Sequence, residues 1–157
     1  MKKVLQVDEI STFVTKQQIE TKRIVLAGGC FDMLHGGHLS FLEAARSLGD
    51  ILVVLLESDE AISQRKGKGR PIKNNQARIK NLLTNTPVDY VIVIPFPFTD
   101  QDYDKLVTSL KPAIIATTKG DPYRHHKERQ AKLVQAKVVD VIERIAKYST
   151  TNLLSQL

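Results

Sequence analysis

Five nearly unbroken apolar runs, at positions 23–27, 51–57, 88–94, 113–117 and 137–142, recur along the chain with amphipathic segments between them. A strand with one wet face alternates apolar and polar residues, whereas a run of Val, Ile and Leu marks a strand covered on both faces. The intervening stretches 37–48, 74–83, 101–110 and 123–135 have helical spacing. In the first of them Leu39, Leu42, Ala45 and Leu48 share one side, and Gly49 and Asp50 end it. Pro95 and Pro97 close the third run, and Pro112 stops the helix before the fourth. Strand, helix, strand repeated in this way predicts an α/β, Rossmann-like five-stranded parallel sheet with helices on both faces. Ahead of the first run, Ile10, Phe13, Val14 and Gln17 give residues 8–20 helical spacing. Residues 1–22 are therefore expected as an N-terminal helical extension, and 23–157 as the α/β core of a single domain.

A chain of 157 residues can bury a core without staples, and the single cysteine, Cys30, offers no internal disulfide. The longest apolar run, 51–56, falls far short of the roughly 20 residues a membrane helix needs. The N-terminal stretch MKKVLQVDEIS meets Asp8 and Glu9 before any long apolar segment, unlike a signal peptide. A cytoplasmic protein with no membrane partner is the expectation. The formal charge of +6 suits an anionic partner. Five Phe, four Tyr and no Trp, without a zinc-finger or RNA-binding sheet signature, argue against nucleic acid. Phosphorylated small molecules remain.

The stretch AGGCFDMLHGGH, residues 27–38, directly follows the first predicted strand. Loops at the carboxyl ends of parallel strands are where such sheets bind ligands. Gly28 and Gly29 are expected to adopt positive φ and to let the backbone approach a ligand. The N-terminus of the helix beginning near Gly37 or His38 offers unpaired amides as a phosphate seat. His35 and His38 can add two imidazole donors to one oxyanion, which would stabilise charge developing there. A metal site is the weaker reading, because no third ligand of the usual spacing is near.

Residues 29–38 (GCFDMLHGGH) resemble the GxFDxxHxGH signature of the cytidylyltransferase-like nucleotidyltransferases, and the similarity extends over about residues 23 to 155. It implies the HUP-type nucleotidyltransferase fold, with His35 and His38 contacting a nucleoside triphosphate and Gly29, Cys30 and Phe31 lining it. The stretch KGKGRPIKNNQAR, from Lys66 to Arg78, resembles the KGxGRPIxxxxxR segment of the heptose-phosphate branch, which makes Lys66 the essential lysine. Alignment with the choline-phosphate branch selects Lys68 instead. Read alone, the stretch is a mobile basic loop whose lysines could close over a triphosphate. Near the end, Arg144 and Tyr148-Ser149-Thr150-Thr151 resemble the family's RTxGISTT motif, with YSTT as spelled in the heptose branch and Lys147 in place of glycine. Those hydroxyls precede a predicted helix start and can hold phosphate oxygens. Lys119, Gly120 and Asp121 partly match the family's loop at the base and sugar end of the nucleotide. His125 and His126 adjoin in a basic stretch and are expected to point apart, a poor metal pair.

The resemblance implies transfer of a nucleoside monophosphate from ATP, or CTP, to a sugar or polyol phosphate, with Mg²⁺ bridging the phosphates and pyrophosphate leaving. His35, His38, Lys66 and Arg144 would carry the chemistry. A heptose 1-phosphate adenylyltransferase is the nearest pattern, with glycerol-3-phosphate cytidylyltransferase and short FAD synthase as alternatives. A non-catalytic nucleotide- or RNA-binding module is the alternative from another class. The family often forms homodimers.

Overall fold

The computed structural model describes residues 3–143. Its sheet has six parallel strands, one more than the sequence reading predicts. They are β1 (Lys3–Val4), β2 (Ile24–Gly29), β3 (Ile51–Leu56), β4 (Tyr90–Val93), β5 (Ile114–Lys119) and β6 (Lys137–Glu143), in the order β1-β4-β3-β2-β5-β6. The extra strand lies inside the region expected to be purely helical. Two residues are too few to show a hydrophobic period, and only pairing of Lys3 and Val4 with Tyr90 and Val91 makes them a strand.

The continuous apolar runs are explained by two cores. Ile24 and Leu26 of β2 and Ile51, Val53 and Leu55 of β3 point to the side covered by α1 (Ile10–Ile19), α5 (Asp100–Leu110) and α6 (Arg124–Val134). Val25 and Ala27, with Leu52, Val54 and Leu56, point to the side covered by α2 (Gly36–Arg46) and α4 (Asn75–Asn85). Every residue of β3 is buried.

A shorter helix, α3 (Asp59–Lys66), occupies sequence read as the approach to a basic loop. Ser58 caps it through its Oγ, which accepts from the Ala61 amide at 3.2 Å. Asp59 and Glu60 then lie in its first turn and Arg65 and Lys66 in its last, matched to the helix dipole.

Chain order reverses between β2 and β5: β3 and β4 lie to one side of β2, β5 and β6 to the other. Pairing there is short. Val25 and Leu26 oppose Ile114 and Ile115, while β2 and β3 stay in register along all six residues of each. Beyond Leu26 the two central strands part, and β5 follows β6 with a register shift at Thr117/Thr118. The sheet is therefore split at its carboxyl end, at the topological switch where open α/β sheets take ligands.

Candidate active site

The turn after β2 forms one wall of this split. Phe31 there has φ of 45°, a left-handed conformation that costs a side-chain-bearing residue about 1–2 kcal/mol. Its ring is buried and meets His38 edge-on, with centroids 5.4 Å apart. Gly28 and Gly29 lie within β2, opposite Leu55 and Leu56, and neither has positive φ. The expectation that they do is corrected: the left-handed residue is Phe31. The demand on Gly29 is space, since a Cβ there would lie 3.0 Å from Phe31 Cε2.

His35 is the N-cap of α2. Its Nδ1 accepts from the amides of Gly37 at 3.1 Å and His38 at 3.4 Å. Two amides expected to seat a phosphate are thus engaged by the imidazole. An Nδ1 that accepts leaves the proton of the neutral ring on Nε2. The rings of His35 and His38 stack at 3.8 Å and 21°. Burial holds the pKa of His35 below its ordinary value. His38 is pushed down to about 4, first by burial, then by the neighbouring His35 and by Lys66, with the Met33 carbonyl opposing. Both act as neutral donors at pH 7. His38 Nδ1 is buried without a hydrogen-bond partner among the described residues.

This depression has a measurable consequence. An unfolded histidine titrates near 6.5, and the folded His38 only near 4. As pH falls through this window the unfolded chain takes up a proton that the folded chain refuses. Stability therefore drops between pH 6.5 and about 4, by at most about 1.4 kcal/mol per pH unit for this one ring, with no contribution above 6.5. Urea unfolding at pH 7, 6 and 5 should show a shallower pH slope for His38→Gln than for the parent. An equal slope would mean that another group titrates.

Lys66 is the last residue of α3, and its Nζ donates to Cys30 Sγ at 3.3 Å. It sits on a helix end, in place of the mobile loop expected. Only Gly67–Gly69 form an arch, with φ of 91° and 83° at the two glycines and open space around both. Lys68 is at its top. The chain is then fastened again. Asp32, fully buried, accepts from the amides of Ile72 (2.8 Å, Oδ2) and Lys73 (2.8 Å, Oδ1) and from Arg70 Nε (3.0 Å, Oδ2).

Arg78 is also fully buried. Its Nε donates to the Lys73 carbonyl at 3.0 Å, its Nη1 to the carbonyls of Cys30 and Glu57, both at 2.8 Å, and its Nη2 to Asp59 Oδ1 at 2.7 Å and Asn75 Oδ1 at 2.5 Å. Asp32 and Arg78 were motif letters without roles in the sequence reading. The sequence reading missed the helix bearing Lys66, although Ser58-Asp59-Glu60 followed by Arg65-Lys66-Gly67 is a start-and-stop signal for one.

The opposite wall of the split comes from the end of β5. Lys119 closes the strand, Gly120 turns with φ of 82°, and Asp121 organises the loop. The carboxylate of Asp121 accepts from Lys127 Nζ (2.5 Å), Thr117 Oγ1 (2.8 Å) and the Tyr123 amide (2.9 Å). Burial would raise its pKa, but these partners hold it below the usual carboxylate value. The basic stretch that follows is internally matched: Arg124 pairs with Glu128 and Asp140, and Arg129 with Asp104 of α5. The rings of His125 and His126 lie 4.1 Å apart rather than pointing apart. Arg144, Tyr148, Ser149, Thr150 and Thr151 fall outside the described residues.

Among the described residues no three of His, Cys, Asp and Glu come together as a metal site. The carboxylates of Asp32, Glu57 and Asp121 are each engaged by a basic side chain. The donor set does not fit a protein-held Mg²⁺. Nor, among the described residues, is any helix long and apolar enough to cross a membrane.

With this geometry in hand, comparison with known proteins is informative. The cytidylyltransferase-like family matches residues 26–155. The chain belongs to that family. Membership supports nucleotidyl transfer as the class of chemistry. Among curated relatives, the bifunctional protein HldE of Helicobacter hepaticus is 38% identical over 151 residues, 96% of this chain and 30% of that protein. The HldE of Desulfatibacillum aliphaticivorans is 38% identical over 122 residues, 78% of this chain and 24% of that protein. The chain thus spans less than a third of the length of these relatives. Among solved structures, a lipopolysaccharide core biosynthesis protein from Thermoplasma volcanium superposes with a TM-score of 0.63 at 29% identity, covering 79% of this chain and 99% of that one. Pantoate-beta-alanine ligase from Francisella tularensis, complexed with beta-gamma ATP and beta-alanine, shares the fold at 14% identity and a TM-score of 0.64, covering 94% of this chain and 69% of that one. In this cytidylyltransferase-like chain the signature residues 29–38 form the turn and helix start beside the split in the sheet.

Proposed function

We propose that the protein transfers a nucleoside monophosphate from ATP, with CTP as the second candidate, to a sugar phosphate, heptose 1-phosphate being the first choice of acceptor. The observation that carries the reading is the stacked, neutral imidazole pair at the topological switch, with the Lys66 helix end against the same turn. Similarity to HldE proteins over most of the chain, and to a lipopolysaccharide core biosynthesis protein, supports a sugar-phosphate acceptor.

An oxygen of the acceptor's phosphate attacks the α-phosphorus. The new P–O bond forms as the bond to the β-bridging oxygen breaks, and pyrophosphate departs with that electron pair. A phosphate dianion needs no strong base, so positioning and charge stabilisation are what the protein supplies. His35 Nε2–H and the imidazole of His38 donate to oxygens of the α- and β-phosphates. Lys66 and Lys68 face the departing pyrophosphate, with Arg144 and Ser149–Thr151 assigned there by family resemblance alone. Gly29, Cys30 and Phe31 line the nucleotide on one wall of the split, and Lys119, Gly120 and Asp121 on the other. Mg²⁺ enters with the nucleotide as part of the substrate. The reading carries with it a cytoplasmic location and a homodimer, neither of which the chemistry requires.

Incubation with ATP or CTP against heptose 1-phosphate, other sugar 1-phosphates, glycerol 3-phosphate and FMN, following pyrophosphate, tests this. ATP with heptose 1-phosphate should turn over fastest. The nucleotide used should also raise the melting temperature, since saturation at 100 times Kd stabilises by about 2.7 kcal/mol. Absence of pyrophosphate across the panel, with no melting shift from either nucleotide, would sink the assignment.

A further inference from the structure

The lysines and the histidines reach the crevice from segments more than 25 residues apart in sequence, and something must fix one set against the other. We propose that Asp32 is a positioning residue: its carboxylate locks the Arg70–Lys73 segment onto the histidine turn and thereby sets where Lys66 and Lys68 stand relative to His35 and His38. This rests on the nucleotidyl-transfer reading and deepens it.

Four observations converge. Asp32 lies three residues before His35, on the turn whose left-handed Phe31 aims it inward, and it is fully buried. Both its oxygens are engaged by the other segment, through two amides at 2.8 Å and the Arg70 guanidinium at 3.0 Å. Burial would raise its pKa, yet the Lys73 and Ile72 amides and Arg70 hold it below the ordinary value, so the carboxylate stays ionised at neutral pH. The arch that leads into the gripped segment has open space around its two glycines. Gly67 and Gly69 have positive φ and nothing within 4 Å of a Cβ placed on them.

The arch bearing Lys68 thus has two anchors, the end of α3 and the Asp32 lock. With both in place Lys68 has three residues of freedom, enough to reach phosphate oxygens and too few to wander. Release of the second anchor would free the chain from Gly67 to Ile72, Lys73 still being held through its carbonyl by Arg78, and place the cost of ordering it on the transition state. The side chain touches no reacting atom in this scheme. It acts through the lysines.

The test uses Asp32→Asn, which keeps the volume and one acceptor oxygen but turns an NH₂ group toward a donor, and Arg70→Ala, which removes only the side-chain strand of the lock. In the parent background Asp32→Asn should lower kcat at least tenfold with a smaller change in nucleotide KM. In a Lys66→Ala, Lys68→Ala background it should cost less than twofold, because the groups it positions are gone. Trypsin should cut after Lys66 or Lys68 several-fold faster in Asp32→Asn than in the parent, and faster in Arg70→Ala as well. Asp32→Glu should not retain the parent's kcat, its extra methylene displacing both oxygens. Equal costs in the two backgrounds, or unchanged cleavage in folded Asp32→Asn, overturns the proposal. If Asp32→Asn does not fold, Arg70→Ala carries both readouts. If the parent transfers no nucleotide to any acceptor, the parent reading fails and takes the positioning role with it, while the cleavage rates still report whether the lock exists.

Discussion

On the proposed mechanism, His38→Ala is expected to slow turnover by about 10²–10³-fold, the loss seen when one preorganised donor to a developing anion is removed. Nucleotide affinity changes far less. The ground-state triphosphate keeps His35, the lysines and the walls of the split, and only the charge that appears during transfer loses its partner. The effect belongs to His38 more than to His35 because of what each ring does in the fold. His35 spends Nδ1 on capping α2, so its removal also disturbs the helix start. His38 is held by packing, edge-on to Phe31 and face-on to His35, and its Nδ1 has no partner among the described residues. His38→Ala should therefore retain the parent's circular dichroism and nucleotide-induced melting shift while kcat collapses. A variant of undiminished kcat would remove the imidazole from the mechanism.

Arg78→Met is expected to lose about 3–5 kcal/mol of stability, since it leaves three carbonyls without their donor, at about 1–3 kcal/mol for each group left unsatisfied. Against a total of about 5–15 kcal/mol this approaches unfolding. Methionine fills much of the volume, so the loss reports hydrogen bonds more than a cavity. Three carbonyls, of Lys73, Cys30 and Glu57, lose their donor, and Asp59 loses its cation. Arg78→Lys should rescue little. An ammonium cannot reproduce the planar fork that reaches the histidine turn, the end of β3 and the start of α4 together. Urea unfolding measures both variants. A midpoint for Arg78→Met within about 1 kcal/mol of the parent would show that these elements are held by something else.

The parallel sheet was legible because its strands are buried on both faces, and the helices other than α3 because their apolar residues recur with the right spacing; α3 buries only Ile62 and shows no such stripe. Lys3–Val4 was not, since a two-residue edge strand has no period and exists only through its partner. The order of strands was equally hidden: nothing in residues 24–29 says that they will lie beside 114–119. At the site, His35 and His38 could be picked out from their glycine-rich setting and family resemblance, and the structure stacks their rings at 3.8 Å. The direction of each ring nitrogen was not readable, because His35 Nδ1 turns to its own helix only once that helix exists. Asp32 and Arg78 show the deeper limit. A charged residue in a motif reads as a ligand for substrate, and only burial reveals that both spend their charge on the protein's own backbone.

The parting of the two central strands beyond Leu26 leaves facing stretches of main chain, in 27–29 and 116–119, that do not hydrogen-bond to each other. Peptide groups in such a gap must be satisfied by water or by whatever lies between them. A purine or pyrimidine edge offers complementary donors and acceptors, and the peptide groups that would meet it are the same whatever side chains the residues carry. Discrimination between adenine and cytosine would then be a matter of how wide the gap is and how its amides are angled. Exchanging side chains at its rim would change how tightly a nucleotide binds well before it changed which nucleotide is chosen.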